Sequence, residues 1–514
     1  MASISWSTPI RRAGSRTLSP IPNEIYLEIF DYFKPSDQKT QKKCRPILCN
    51  LALVCHFFCA VAVPRIFSVL EISGQAIGKD DSAASSTAAF CRAINQGKEP
   101  AASLAGHVKQ CELRSWHDGG DVPWVISGFL DMYIQAMKRM PNLHALRLVD
   151  VTINKRLLKA ICGLKGLTSL CLQFIKVSDN ITEVFLARLT PLELTEFTYF
   201  GDMTLKMPTD MFPKIIARIV SPRCLKTLWS VSWKVNKEIL GQIGEDSALV
   251  HVDIFEAVDD PILWRILERS KNMRTLRITS LITGDSGAPA TVLPASSMPK
   301  LEGLLGPPSL LYLVPGRPLR SIELSGSALT SGLHPLPHEA TPMGLLDIAR
   351  LKGSSVHIRV LNIPTHLYFL APLADNFPFL EVLHVCYDHA NYEPVVPNDD
   401  TQFKDMVLAL AKKWPPNSSI RQLHFDLGFI SMRSTYYANL ELQYSMIAAV
   451  VPAFPNLDSI NFVDYMKWSK VPFGETWRGK VDFQHGHFVH HMLQRGVPGM
   501  RDYDGIFKAI LNNT

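Results

Sequence analysis

Along most of the chain the apolar residues fall into one recurring phrase. Met140-Pro-Asn-Leu143-x-x-Leu146-x-Leu148 is followed by Leu164-Lys-Gly-Leu167-x-x-Leu170-x-Leu172. Looser copies stand at Thr190–Phe197, Cys224-Leu225-x-x-Leu228, Leu249-x-x-Val252-x-Ile254 and Met273-x-x-Leu276-x-Ile278. Later ones are Leu301, Leu319-x-x-Ile322-x-Leu324, Leu380-x-x-Leu383-x-Val385, Ile420-x-x-Leu423-x-Phe425 and Leu457-x-x-Ile460-x-Phe462. Leu143 to Leu167, Leu225 to Leu249 and Leu249 to Met273 are each a step of 24 residues. Each phrase predicts a short strand whose alternate side chains point inward. Helical spacing fills the intervals at Lys155–Cys162, Met211–Val220, Lys237–Ile243 and Ile262–Arg269. Further helices are predicted at Met343–Leu351, Phe403–Trp414 and Ala438–Val450. No such unit buries its apolar face alone, so neighbours must stack.

The stretch Leu18–Phe67 has a different rhythm. It opens LSPIPNEIYLEIFDYF and closes NLALVCHFFCAVAVPRIF. Pro22 suits a first helical turn, and Glu24 complements the helix dipole there. With about 100° per residue, Ile25, Ile29, Tyr32 and Phe33 cluster, and Tyr26, Phe30 and Leu27 widen the sector. The apolar arc spans roughly 220°, where a single packing face needs roughly 100°. Either the helix is buried in a larger core, or one sector packs on its own module and another on a partner.

Between and beyond these regions the pattern weakens. Residues 1–17 carry Arg11, Arg12 and Arg16 and read as a disordered basic tail. Residues 68–107 read as a linker into the array, with a strand-like run at Val69–Ile72 and a helix at Thr87–Asn95. The array itself is expected over 108–467. Prolines from Pro294 to Pro342 break it into a loop region at 281–343, since proline removes ladder donors. Residues 468–514 carry no repeat and read as a cap or tail, with helices predicted at Phe488–Gln494 and Tyr503–Leu511.

Composition sharpens this little. The chain has 514 residues, 47% hydrophobic and 19% charged, which suits a globular protein of several domains. The net charge of +6 gives no case for a nucleic-acid surface. No apolar run reaches the roughly 18 residues of a membrane span. The first residues lack an apolar signal core, so secretion is not expected. Ten scattered cysteines fit an intracellular chain with reduced thiols.

Candidate chemistry is sparse. Cys44, Cys49, Cys55 and Cys59 lack the paired spacing of a structural zinc site. His485, His487, His490 and His491 form the densest polar cluster, but Phe488 stands where a metalloprotease helix needs glutamate. No nucleophile elbow, phosphate loop or dinucleotide fingerprint occurs. An enzyme, a cofactor and a resident metal are therefore not expected. Trp229, Trp233, Trp264 and Trp414 are either anchors of a binding surface or packing between repeats.

Two resemblances organise these readings. Ile21-Pro22-x-Glu24-Ile25-x-x-x-Ile29-Phe30-x-x-Phe33, continued by Leu51-Ala-Leu-Val54-Cys55-x-x-Phe58 and Pro64-Arg65-Ile66-Phe67, resembles the F-box. Ile21 replaces the usual leucine, and the connector Lys34–Arg45 is long and basic. The 24-residue phrases resemble leucine-rich repeats. The usual asparagine after the strand is missing, with Asp150, Phe174 and Thr279 near that point. The implied fold class is α/β: a three-helix module over 18–67, then an irregular leucine-rich-repeat-like solenoid. The F-box resemblance implies adaptor contacts at Ile21, Pro22, Ile25, Ile29, Phe30, Leu51, Val54 and Phe58. It implies a substrate receptor of an SCF ubiquitin ligase, intracellular in cytoplasm or nucleus. A Skp-type adaptor, a cullin behind it and an unidentified target would be its partners, with no nucleic acid or membrane. The alternative is a non-ligase scaffold that binds partners through its repeats.

Overall fold

The computed structural model describes residues 12–13, 16–17, 22–33, 38–74, 82–116, 123–178, 180–201, 211–244, 247–282, 293–294, 296–324, 351–364, 373–386, 405, 407–409, 411–412, 414, 418–426, 440–463, 466–471 and 477–481. The chain divides into two compact units, Met1–Gln242 and Ile243–Thr514.

The first unit opens on a short antiparallel pair, β1 (Arg12–Ala13) with β2 (Arg16–Thr17). These four residues fall in the stretch expected to be a disordered tail, and their backbones pair instead. Three helices follow: α1 (Asn23–Asp31), α2 (Gln38–Ala52) and α3 (His56–Ile66). Pro22 is the N-cap of α1 and not a first-turn residue. The basic connector is largely not a loop. It is helical from Gln38 onward, as its glutamines and lysines favour. The apolar arc of α1 splits in two. Tyr26, Phe30 and Phe33, at i, i+4 and i+7, turn inward onto a core with Leu48, Phe57, Val61, Ala62 and Ile66. Cys55 caps α3, its Sγ accepting from the Phe58 N–H at 3.5 Å. Arg65 ties α3 to α1 through Asp31 at 2.9 Å and lies 5.6 Å from the centre of the Phe30 ring.

A parallel sheet occupies the rest of this unit. Its elements run β3 (Val69–Ser73), α4 (Ser82–Asn95), α5 (Ala101–Ala105), β4 (Gln110–Trp116), α6 (Pro123–Lys138), β5 (Ala145–Ile153), α7 (Lys155–Cys162), β6 (Ser169–Gln173), β7 (Lys176–Val177), α8 (Glu183–Ala187), β8 (Glu196–Phe200), α9 (Met211–Ile219), β9 (Thr227–Ser230) and α10 (Trp233–Leu240). The sheet order is β3-β4-β5-β6-β8-β9, with β7 against the end of β5. The expected linker 68–107 is therefore the first repeat. Val69 pairs with Gln110, and Ile72 is buried like any inward strand residue.

A left-handed residue recurs toward the C-terminal part of β4 and β5 and just after β6. Ser115, Asp150 and Phe174 all adopt positive φ, at 55°, 54° and 51°. Each directly follows one of the mutually paired residues Arg114, Val149 and Gln173, so the left-handed residue recurs at one register, and β4 and β5 pair again just beyond it at Trp116 and Val151. Asp150 and Phe174 stand where the repeat asparagine was expected, and both use the left-handed region instead. Gly74 has no choice of residue: a Cβ there would stand 2.3 Å from the Ser115 carbonyl oxygen.

The second unit repeats the plan. Its elements are β10 (His251–Val258), α11 (Pro261–Arg269), β11 (Thr275–Ile282), β12 (Gly303–Gly306), β13 (Ser321–Leu324), β14 (Val360–Pro364), α12 (Leu373–Asn376), β15 (Val382–Cys386), β16 (Gln422–Asp426), α13 (Leu440–Val450), β17 (Ser459–Val463), β18 (Met466–Lys470) and β19 (Trp477–Val481). β10 through β17 pair in sequence and in parallel. Then β18 and β19 add antiparallel, carrying the sheet past the expected boundary at 467. Ile322, Leu361, Leu383, Leu423 and Ile460 form one buried row across five strands.

The proline-rich stretch 281–343 is not a loop throughout, since β12 and β13 lie inside it. Arg317 organises the turns there. It is 1% exposed and donates to the carbonyls of Pro294 and Ser297 at 3.0 Å and to that of Leu313. Burial holds its guanidinium below the ordinary value. Among the tryptophans, Trp264 and Trp414 are buried as packing, while Trp229 is half-buried and lies against Phe200 with ring centres 3.6 Å apart and planes tilted by 35°. Ile21, the predicted tail helices, the histidine cluster 485–491 and all but Leu351 of the predicted helix Met343–Leu351 lie outside the described residues.

Candidate functional site

Two surfaces break the rule that polar residues face water and apolar ones do not. The first is the outer side of the three-helix module. Ile25, Leu27, Ile29 and Tyr32 on or beside α1, Ile47 on α2, and Leu53 and Val54 in the turn before α3 are all exposed. Tyr32 is 85% and Leu53 86% exposed. Fully burying one such side chain is worth about 1.5–3 kcal/mol, so leaving this set in water forgoes a large stabilisation. Isolated exposed apolar residues need no explanation, but a concentration of them on so small a module does.

The expected adaptor contacts divide accordingly. Pro22, Ile25, Ile29 and Val54 are exposed. Leu51 and Phe58 are half-buried and pack on the module's core. Phe58 meets Tyr26 and Phe30 edge-on at 5.1 and 5.3 Å. Phe30, at 2% exposure, lies in the module's own core. Leu27, Tyr32, Ile47 and Leu53 join the exposed set unpredicted. The 220° arc held the signal for Leu27 and Tyr32. Ile47 and Leu53 gave none, because periodicity does not say which side of an apolar helix another helix covers.

The second surface is the outward face of the sheet in the second unit. It is built from the middle residue of each strand core: Glu323, Asn362, His384, His424 and Asn461. They stand in register across five neighbouring strands, a row of roughly 19 Å at about 4.8 Å per strand. The two imidazoles stack at 4.0 Å with 9° between their planes. Asn461 Nδ2 donates to His424 Nε2 at 3.1 Å. Asn362 hydrogen-bonds Glu323, whose carboxyl is held above its usual range mainly by burial and further by Asp253; Arg277 and that hydrogen bond oppose the shift. Arg277 itself pairs with Asp253 at 3.7 Å. A cavity of about 210 Å³ covers the row.

The sheet in the first unit carries charge at the corresponding place, already paired. Glu71, Glu112, Arg147, Cys171, Thr198 and Trp229 stand in register. Glu112 is 2% exposed and accepts from Arg114 at 2.6 Å, with Arg147 at 3.9 Å. Arg147 also donates to Gln173 at 2.9 Å.

Among the described residues, no three His, Cys, Asp or Glu side chains gather as a metal site would. No described helix is long and apolar enough to cross a membrane. The ten cysteines are free thiols; burial pushes Cys91 up to about 12 and raises Cys111 as well.

No family model matches the sequence, and no curated protein does. Solved structures do match. An internalin from Listeria monocytogenes str. 4b F2365 is 12% identical, with 59% of this chain and 90% of that chain aligned, at a TM-score of 0.26. A TLR13–ssRNA13 complex is 14% identical, with 63% of this chain but only 41% of that chain aligned, again at 0.26. The strand pairing described above is what defines the architecture. Within each unit, parallel strands follow one another in sheet order, many with helical segments between them, a leucine-rich-repeat-like arrangement.

Proposed function

We propose that the chain is a substrate receptor of an SCF-type ubiquitin ligase. The helical module docks a Skp-type adaptor, and the repeats hold a target protein. The observation that carries this reading is the outward half of the α1 arc. Ile25, Ile29 and Tyr32 stay exposed while Tyr26 and Phe30 fill the module's own core. A helix with two apolar faces and one covered is arranged for a second protein. The resemblance of Pro22 through Phe67 to the F-box names that protein as the adaptor. The receptor needs no active site of its own; it raises the local concentration of target lysines at the ligase.

The test is co-purification. Tagged chain is recovered from cells and probed for the Skp adaptor and for cullin. The wild type brings down both, and an Ile25→Asp/Val54→Asp variant loses both. Equal adaptor recovery from wild type and variant sinks the reading. Adaptor without cullin replaces it with a non-ligase scaffold.

A further inference from the structure

The row on the second unit's sheet is not complete in itself. Asn362 is 9% exposed, and its Oδ1 has no hydrogen-bond partner; neither has the Oδ1 of Asn461. Both residues line the cavity above the row. An unmet buried acceptor costs about 1–3 kcal/mol, so the one on Asn362, next to Glu323 in register, marks a place where a donor is expected from outside. The groove also offers a carboxylate. Arg277 stands two strands from Glu323 in the same register, and it is engaged by Asp253 at 3.7 Å. Among the described residues lining the groove, the lysine Lys467 is exposed at the far end of the row, paired in register with Asn461. The cavity's 210 Å³ falls below the roughly 300–1,000 Å³ of a drug-sized ligand site. It suits one long side chain.

We propose that this groove binds an arginine side chain presented by a partner protein. A guanidinium is the one protein group with five N–H donors, a permanent positive charge and no acceptor. It supplies Glu323 with a counter-charge and the neighbouring Asn362 amide oxygen with a donor. The row then reads as a specificity pocket on the strand face. This deepens the reading that the repeats hold the target and rests on it.

The experiment is a titration of the full chain with N-acetyl-arginine amide, followed by ligand-observed NMR. A Kd of about 1 mM is the scale expected for one charge-assisted, multidentate side chain. N-acetyl-lysine amide should bind at least about fivefold more weakly, having fewer donors. Glu323→Gln should weaken the arginine probe about tenfold, and Asn362→Leu should weaken it several-fold. Glu112→Gln, on the first unit's sheet, should change nothing. Circular dichroism melts confirm that each variant is folded. No arginine binding at ten times the expected Kd overturns the proposal. So does equal affinity in wild type, Glu323→Gln and Asn362→Leu, or a loss with Glu112→Gln as large as with Glu323→Gln. A null titration leaves the adaptor result standing, and failed adaptor recovery leaves this titration intact.

Discussion

The outer side of the helical module and the outward face of the second sheet are mirror images in chemistry. The module leaves Ile25, Ile29, Tyr32 and Leu53 in water. The sheet withdraws Asn362 from water without pairing all of its atoms. Each arrangement costs stability that a self-contained fold would keep. Such violations cluster where a protein meets something else, because only a partner completes them. The first unit's sheet is the control. There Glu112 is as deeply buried as any polar residue of the row, yet Arg114 and Arg147 satisfy it.

The largest test of the comparison lies in α1. Phe30→Ala should cost about 3–5 kcal/mol, because it empties a core position. Ile29→Ala, one residue away on the open side, should cost less than about 1 kcal/mol. Hydrogen exchange of the module under mild urea measures both, and equal losses would erase the distinction between its two sides. Next, Glu112→Ala should cost about 2–3 kcal/mol by removing the buried carboxylate that Arg114 and Arg147 share. Asn362→Leu should cost only about 1 kcal/mol, since it removes one hydrogen bond to Glu323 together with an oxygen that was never satisfied. Thermal melts compare the two, and an Asn362 loss as large as that of Glu112 would mean that the row is already complete.

Gly74→Ala should cost about 1–3 kcal/mol by driving a Cβ into the Ser115 carbonyl. It should spare adaptor recovery, which would separate sheet integrity from the module's open side. The smallest effect is a pH dependence. Glu323 binds its proton more tightly folded than unfolded, so stability is lost as pH rises through the ordinary carboxylate range of about 4.3. Glu323→Gln removes that loss. The variant should gain on wild type between about pH 4 and the folded pKa, then hold the gain. A gain that shrinks on going from acid to neutral pH would contradict the burial of Glu323.

Much of the architecture was legible as phrase and period. Leu143, Leu167, Leu225, Leu249, Met273, Leu319, Leu380, Ile420 and Leu457 all open strand cores, and all are buried. Repeats declare themselves this way because each unit solves the same burial problem with the same spacing. β14 was equally legible, as Ile358-x-x-Leu361-x-Ile363, but the surrounding prolines masked it. β3 was seen as a strand and misplaced as a linker, since strand pairing is not a local property. The middle residues Glu323, Asn362, His384, His424 and Asn461 sat in plain view between paired apolar residues. Nothing local said that they would share one row.

The sequence alone therefore determined which side chains face inward along each strand, because alternation is set by the backbone itself. It also determined that α1 carries more apolar surface than one core requires. The tertiary structure decided which half of that surface is covered, placing Tyr26 and Phe30 against Phe57 and Phe58 and leaving Ile25 and Ile29 open. It decided too that the five polar residues stand side by side with acceptors to spare. Both outcomes depend on contacts between residues far apart in the chain, and periodicity carries no record of those.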